Sequence, residues 1–384
     1  MQTQAGEAGA FARFDLSRVP SPCFVVDEVA IERNLRVLAG VAEASGAKVL
    51  LALKAFSMFA LAPQVRRHLA GTCASGLYEA RLAREEFGGR VSTYSAGYKA
   101  VEIDEIAHRS DHVIFNSAVQ MERFAHAVRA RGAEIGLRLN PEHSTGEVPK
   151  YDPAAPCSRL GLPISQLDDA MMRGVDGLHM HTLCEQGFEP LAETWAAVAP
   201  HLAPYLDGLK WLNLGGGHHI TRADYDRAGL VAFLKDLARP GLEIFLEPGE
   251  AVALDAGILV GEVLDLPVNG MPLAITDVSA TCHMPDVIEA PYRPALLGEV
   301  SDGTTYRLGG PSCLAGDVIG DYSFRAPLDV GQRIAFLDQA HYSMVKTNTF
   351  NGVPLPALAI WNSQTDALRI VRRFDYSDFK GRLS

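Results

Sequence analysis

Between Val49 and Gly249, short apolar runs alternate with segments whose apolar residues recur every three or four positions. That alternation limits what the chain can fold into. The runs are VLLAL, GTCAS, VSTYS, HVIFN, EIGLRLN, GLHMHTL, WLNLGG and EIFLEPG, eight in all. Between them lie amphipathic stretches such as LYEARLAREEF, SAVQMERFAHAVRAR, LAETWAAVAPHLAPYL and RADYDRAGLVAFLKDLA. Strands separated by helices pair in parallel, and eight such units close into a (β/α)8 barrel of the TIM type. The spacing predicts that barrel over residues 28–255, with a helix from Glu28 to Ala44 ahead of its first strand. After about Val260 the pattern changes: GILVGEVLDLPV, PLAITDVS, TYRLGG, RIAFLD, PALAIW and ALRIVRRF are strand-like, separated by Pro and Gly turns. A C-terminal β domain is therefore expected over residues 256–384, joined by residues 16–27, whose strand SPCFVVD falls outside the eightfold alternation. Residues 1–15, rich in Ala, Gly and Gln, are expected to fray.

With 384 residues and 48% hydrophobic content, the chain can bury a large core. Its formal charge of −11, without a basic block, argues against nucleic acid and anionic membrane surfaces and favours a cationic substrate. The amino terminus lacks a basic start followed by an apolar run, and no stretch is long and apolar enough to span a bilayer. The six cysteines, scattered without a Cys-x-x-Cys pair, suit free thiols in a reducing compartment, so a cytoplasmic location is expected.

In such barrels the carboxyl ends of the strands hold the active site. The first strand ends in Lys54, the fifth carries Arg138, the sixth His179 and His181, the seventh runs into Gly215, Gly216 and Gly217, and the eighth ends in Glu247. Each has a plain alternative. Lys54 is either a cation snorkelling from a strand end or an amine with a lowered pKa, able to form a Schiff base with a carbonyl cofactor. The glycines are either an ordinary turn or one that lets backbone N–H groups approach phosphate oxygens, as turns after a seventh barrel strand often do. Glu247 is either a solvated carboxylate or a partner for a pyridine nitrogen. Arg138 is either a paired barrel cation or part of the site, and of the two histidines, which face the same way, one packs and the other stacks on a ring.

The segments LALKAFSMF, SRLG, HTLCEQ, NLGGGHHITRADYD, EPGEAVAL, SATCHMPDVIEAPYRP, GGPSCLAGDVIGDYSF and HYSMVKTNTFNG resemble the barrel-type pyridoxal-phosphate decarboxylases, the group containing ornithine and diaminopimelate decarboxylases. Within it they are most similar to the branch acting on carboxynorspermidine. The resemblance covers nearly all the chain after residue 20 and implies an alanine-racemase-like barrel plus β domain, the fold type III of pyridoxal enzymes. It further implies pyridoxal 5'-phosphate held by Lys54, with His181 stacking on its ring and Glu247 facing its nitrogen. Gly215 to Gly217 and Tyr342 would reach its phosphate, with Arg138 lining the cofactor site. A homodimer is implied in which Cys313 of one subunit completes the other's site and protonates the decarboxylated carbon. The implied activity is decarboxylation of carboxynorspermidine to norspermidine and of carboxyspermidine to spermidine, in polyamine biosynthesis.

Departures from the wider group bear on substrate. Relatives acting on simpler amino acids have arginine where this chain has Glu250, and an acidic residue where it has Leu314. An anion in place of a cation disfavours a distal carboxylate and favours an amine. Glu250 and Asp286 are therefore expected to place carboxylates along a carboxylated polyamine, with Asp277 a weaker third. Other readings stay open: another basic amino acid such as diaminopimelate or ornithine as substrate, an amino-acid racemase, a non-catalytic cofactor carrier, and a hydrolase using His179, His181, Cys184, His218, His219 and His283 as a metal cluster, although no metal is the favoured expectation.

Overall fold

The apolar runs become strands because each is bounded by turn residues and flanked by helices that cover its outer face. In the computed structural model, which describes residues 6–146 and 148–384, two compact units emerge: Arg33–Val252, and the described residues up to Glu32 together with Ala253–Ser384.

The first unit is a closed parallel barrel. Its strands are Lys48–Ala52, Gly71–Ala74, Arg90–Tyr94, His112–Phe115, Glu134–Asn140, Gly177–His179, Trp211–Asn213 and Glu243–Leu246. Each pairs with the next in sequence, and the ring closes where Phe245 and Leu246 register with Lys48 and Val49. Trp211, fully buried, fills the interior with Leu50, Ile114 and Phe245. Gly177 is small for that reason: a Cβ there would stand 2.0 Å from the Trp211 ring. His112 stacks on the same indole, ring centroids 4.5 Å apart. Around it the amino ends of the strands carry a charged rim. Arg90 donates to Glu243 at 2.9 Å, Lys48 pairs with Glu243, and Lys210 reaches Glu134 at 3.0 Å. Helices open on side-chain caps where the sequence provides them. Asp226 accepts from Gly229 N at 2.8 Å, so the helix expected from residue 222 begins at Arg227.

The second unit is a mixed sheet. Cys23–Asp27 runs antiparallel to Gly257–Asp265 and parallel to Ala357–Trp361. Leu273–Thr276, Thr304–Gly309 and Val318–Phe324 extend the sheet on one side and Leu368–Arg372 on the other, while Arg333–Leu337 pairs with Gly257–Asp265. Val318–Phe324 is a strand absent from the sequence expectation. The fraying expected over residues 1–15 lies outside the described residues at 1–5 and differs from the structure beyond them. Gly9–Arg13 forms a 3-10 turn, and Phe11 and Phe14 pack on Trp361 with ring centroids 5.3 and 4.9 Å away. Among the described residues, no helix is long and apolar enough to cross a membrane.

Candidate active site

Lys54 stands in the turn that follows the first barrel strand, where Ala55 N donates to Ala52 O at 3.1 Å. Its side chain opens into the carboxyl-end mouth, with Nζ 3.4 Å from His181 Nε2. Lys54 is exposed at the open mouth, yet the protein packed round it lowers its pKa and the Arg138 charge lowers it further, against opposition from Cys73 and Glu247. A lysine so placed has a larger neutral, nucleophilic fraction at neutral pH than one in water.

Glu247, 7% exposed, is the best-anchored acid of the mouth. Asn213 Nδ2 donates to its Oε1 at 2.6 Å, and His179 Nε2 lies 3.2 Å from its Oε2. Burial alone would raise its pKa, but His179 and the Asn213 amide outweigh burial and hold the carboxyl below the ordinary value. Burial lowers the His179 pKa against the opposing charge of Glu247, and because an ionised carboxylate only accepts, His179 Nε2 is the donor in their 3.2 Å contact. His179 Nδ1 has no hydrogen-bond partner among the described residues. The result is a buried carboxylate facing the space that Lys54 enters.

The glycine turn is wedged against its neighbours. Gly215 and Gly217 have φ of +72° and +83°. A Cβ at Gly216 would stand 2.0 Å from Glu247 O and one at Gly217 1.9 Å from Leu183 O, so side chains are excluded on contact grounds as well. Gly215 N donates to Asn213 Oδ1 at 2.9 Å and Gly216 N to His181 Nδ1 at 3.0 Å. Among the described residues the next two amides, of Gly217 and His218, have no acceptor. A cradle too tight for any Cβ, ending in two successive unengaged donors, matches the needs of a phosphate group.

Arg138 is buried, its guanidinium 4.4 Å over the Tyr94 ring and Nη2 donating to His181 O at 3.0 Å. Burial is the main cause that lowers the His181 pKa well below its usual value, with Lys54 and Arg138 adding to it. Glu250 is no solvated loop acid: its side chain is 11% exposed and Oε1 lies 3.3 Å from His219 Nε2.

The other expected residues belong to the β unit. Cys313 is exposed rather than packed, and its amide donates to Asn351 Oδ1 at 2.9 Å. Tyr342 is half-buried in a turn with φ of 21°. Asp286, expected to meet the substrate, is paired with Lys346, whose Nζ donates to it at 2.5 Å. Asp277 accepts from Glu262 N at 2.7 Å, a structural tie, and burial raises its pKa. The metal set is not gathered. His218 bonds Tyr225 Oη at 2.6 Å, and His283 accepts from Ser279 N at 3.1 Å and donates to Pro354 O at 2.9 Å. His179, His181 and Glu247 do offer ligand atoms within 4.8 Å of one another, with the Lys54 amine 3.4 Å from His181 beside them.

Sequence reasoning missed four residues of the mouth: Asn213, Tyr94, Cys73 and Glu79. Asn213 was within reach, because strand alternation puts it on the same side as Trp211, two residues before Gly215. Burial raises the Cys73 thiol well above its usual pKa and also raises Glu79, which accepts from Ser75 N at 2.7 Å.

Residues 23–340 match the family described as pyridoxal-dependent decarboxylase, C-terminal sheet domain. Over 374 residues, 96% of both chains, the sequence is 40% identical to a carboxyaminopropylagmatine decarboxylase of Synechocystis sp.. It is 38% identical over 380 residues to a carboxynorspermidine/carboxyspermidine decarboxylase of Campylobacter jejuni, covering 95% of this chain and 99% of that one. The crystal structure of carboxynorspermidine decarboxylase from Campylobacter jejuni, complexed with norspermidine, is similar with a TM-score of 0.88 at 37% identity, over 95% of this chain and 100% of that one.

Proposed function

The chain belongs to the pyridoxal-dependent decarboxylases, and within them we propose that it releases carbon dioxide from carboxynorspermidine and carboxyspermidine to give norspermidine and spermidine. Full-length similarity to enzymes of that name supports the substrate class. The observation that carries the cofactor assignment is the mouth itself, where a buried Glu247 held below its ordinary pKa, a cradle of glycines and Lys54, whose pKa is lowered, come together.

Pyridoxal 5'-phosphate, when bound, supplies an electron sink for the electron pair left by departing carbon dioxide. The chain's residues do the rest. Lys54 would hold the cofactor through its amine, whose pKa is lowered in this mouth. Glu247, steadied by Asn213 and His179, would keep a proton on the ring nitrogen of a bound cofactor. His181, held by Arg138 through its carbonyl, would meet the cofactor ring, and the Gly217 and His218 amides would meet its phosphate, a role the proposal also gives Tyr342. Cys313, from the second subunit of a homodimer, gives its proton to the substrate carbon. Glu250 faces the polyamine; the Asp286 carboxylate serves only by exchanging Lys346 for a substrate ammonium. The described cysteines are free thiols, which suits a reducing compartment, and we place the enzyme in the cytoplasm.

One other reading has a specific observation behind it: the Synechocystis relative is named for a guanidine-ended substrate, carboxyaminopropylagmatine. A carbon dioxide release assay over carboxynorspermidine, carboxyspermidine, carboxyaminopropylagmatine, ornithine, lysine and diaminopimelate separates them. The proposal expects the first two to lead. A lead for carboxyaminopropylagmatine moves the enzyme to the second reading, and a lead for diaminopimelate overturns the charge argument from Glu250. Lys54→Ala is expected to abolish both the visible cofactor absorbance and turnover; retention of both removes Lys54 from the site.

A further inference from the structure

Asp317, 4% exposed, sits at the base of the loop that carries Cys313. Gly310 N donates to Asp317 O at 2.9 Å and Asp317 N to Leu314 O at 2.9 Å, so the 310–317 segment closes on itself. The carboxylate collects donors from two separate stretches of chain. Ser279 Oγ lies 3.0 and 2.8 Å from its two oxygens, Thr281 N donates at 3.1 Å, and Ser312 Oγ donates at 2.6 Å. Gly310 leaves room for it: a Cβ there would stand 2.4 Å from Asp317 Oδ2 and 2.7 Å from Ser279 Cα. Asn351, itself in the left-handed region with φ of 55°, holds the Cys313 amide from the other direction. Residues 313–316, between these ties, are exposed.

Burying a carboxylate is costly unless donors replace its water, so a loop built around one with this many donors holds one geometry. A surface turn needs no such device merely to reverse direction, since the backbone bonds from Gly310 N to Asp317 O and from Asp317 N to Leu314 O already close it. We propose that Asp317 is a positioning residue for proton delivery: tied to Ser279, Thr281 and Ser312, it fixes the 310–317 loop so that Cys313 presents its thiol from one place. The inference rests on the reading of Cys313 as proton donor. Proton transfer is sensitive to such placement, because about 1 Å of displacement can cost about a hundredfold in rate.

The test compares Asp317→Asn, Ser312→Ala and Cys313→Ala as holoenzymes on carboxynorspermidine. It reads kcat, KM, cofactor absorbance and the solvent deuterium isotope effect on kcat. Asp317→Asn keeps the shape but replaces one accepting oxygen by a donor. It is expected to lower kcat by about tenfold to a hundredfold, with KM and cofactor absorbance unchanged. The isotope effect should rise as proton transfer comes to limit turnover. Ser312→Ala, which removes the 2.6 Å donor, should move kcat and the isotope effect the same way by less. An Asp317→Asn enzyme with wild-type kcat and isotope effect, beside an impaired Cys313→Ala, overturns the inference and leaves Cys313 in place. A wild-type Cys313→Ala removes Cys313 and the inference together. If Asp317→Asn does not fold, Ser312→Ala decides: a fallen kcat with a raised isotope effect supports the inference, and unchanged values overturn it.

Discussion

Asn213 joins two parts of the barrel mouth through one side-chain amide. Its Nδ2 donates to Glu247 Oε1 at 2.6 Å and its Oδ1 accepts from Gly215 N at 2.9 Å. Truncation leaves a buried carboxylate short of a donor and a glycine amide short of an acceptor, each loss worth about 1–3 kcal/mol. With the amide gone, burial regains influence over Glu247 and its pKa rises from its lowered value. On the proposal that the ionised form of Glu247 meets a ring nitrogen, the acid limb of the pH–rate profile moves to higher pH. Asn213→Ala is therefore expected to weaken cofactor binding by about tenfold, in an absorbance titration with pyridoxal 5'-phosphate, and to shift that limb upward. An unmoved acid limb with unchanged affinity would detach Asn213 from the control of Glu247. Residues at strand ends such as Lys54, His181 and Glu247 were legible because position on a strand is a local property. The partners that change their meaning were not. His219 beside Glu250 comes from the loop after the glycine turn, and Lys346 on Asp286 stands in a loop well downstream.

The barrel strands show what local pattern can and cannot announce. Each is an apolar run bounded by turn residues, and all eight expected runs form strands in the ring. Val318–Phe324 escaped because Gly320 and Asp321 interrupt its apolar character, yet Asp321 stands opposite Arg307 on the next strand and accepts from its guanidinium at 2.8 and 3.0 Å. The amino-end rim raises a further expectation. His112 opens the fourth barrel strand, fully buried against Trp211, and burial with the Arg90 charge pulls its pKa to about 4. The sign follows from linkage. An unfolded histidine takes a proton near pH 6.5 whereas the folded one resists until about 4, so this contribution is complete above 6.5 and is lost as pH falls toward 4. The full loss is at most about 3 kcal/mol for this residue. His283, also held at about 4 by burial, adds to the same trend. His112→Gln should flatten the fall of the urea midpoint between pH 7 and pH 5 relative to wild type. An identical slope in the variant would place the acid sensitivity elsewhere.

At the scale of the whole molecule, Lys54 and Glu247, proposed to meet the cofactor, belong to Arg33–Val252, and Cys313 and Tyr342 belong to the other compact unit. The proposed homodimer makes a specific demand on that division. Where each site needs Lys54 from one subunit and Cys313 from the other, two different inactive variants are complementary. In a mixture of Lys54→Ala and Cys313→Ala chains dissociated and reassociated at equal amounts, about half the dimers pair one of each, and each such dimer has one site with both residues intact. Activity should then return to about a quarter of wild type, while neither variant alone, nor the two mixed without subunit exchange, recovers it. A site formed within one chain predicts no recovery in any mixture. The charge balance bears on the same sites. A chain of net charge −11 attracts a polycation, so kcat/KM for the substrate should fall with ionic strength in wild type and reconstituted hybrid alike. The two effects are separable, because salt changes encounter with the substrate whereas hybrid formation changes only the fraction of complete sites. A quarter-recovery that keeps the wild-type KM therefore reports Cys313 arriving from the second subunit, and a recovered activity with altered KM would show that the hybrid site is not the native one.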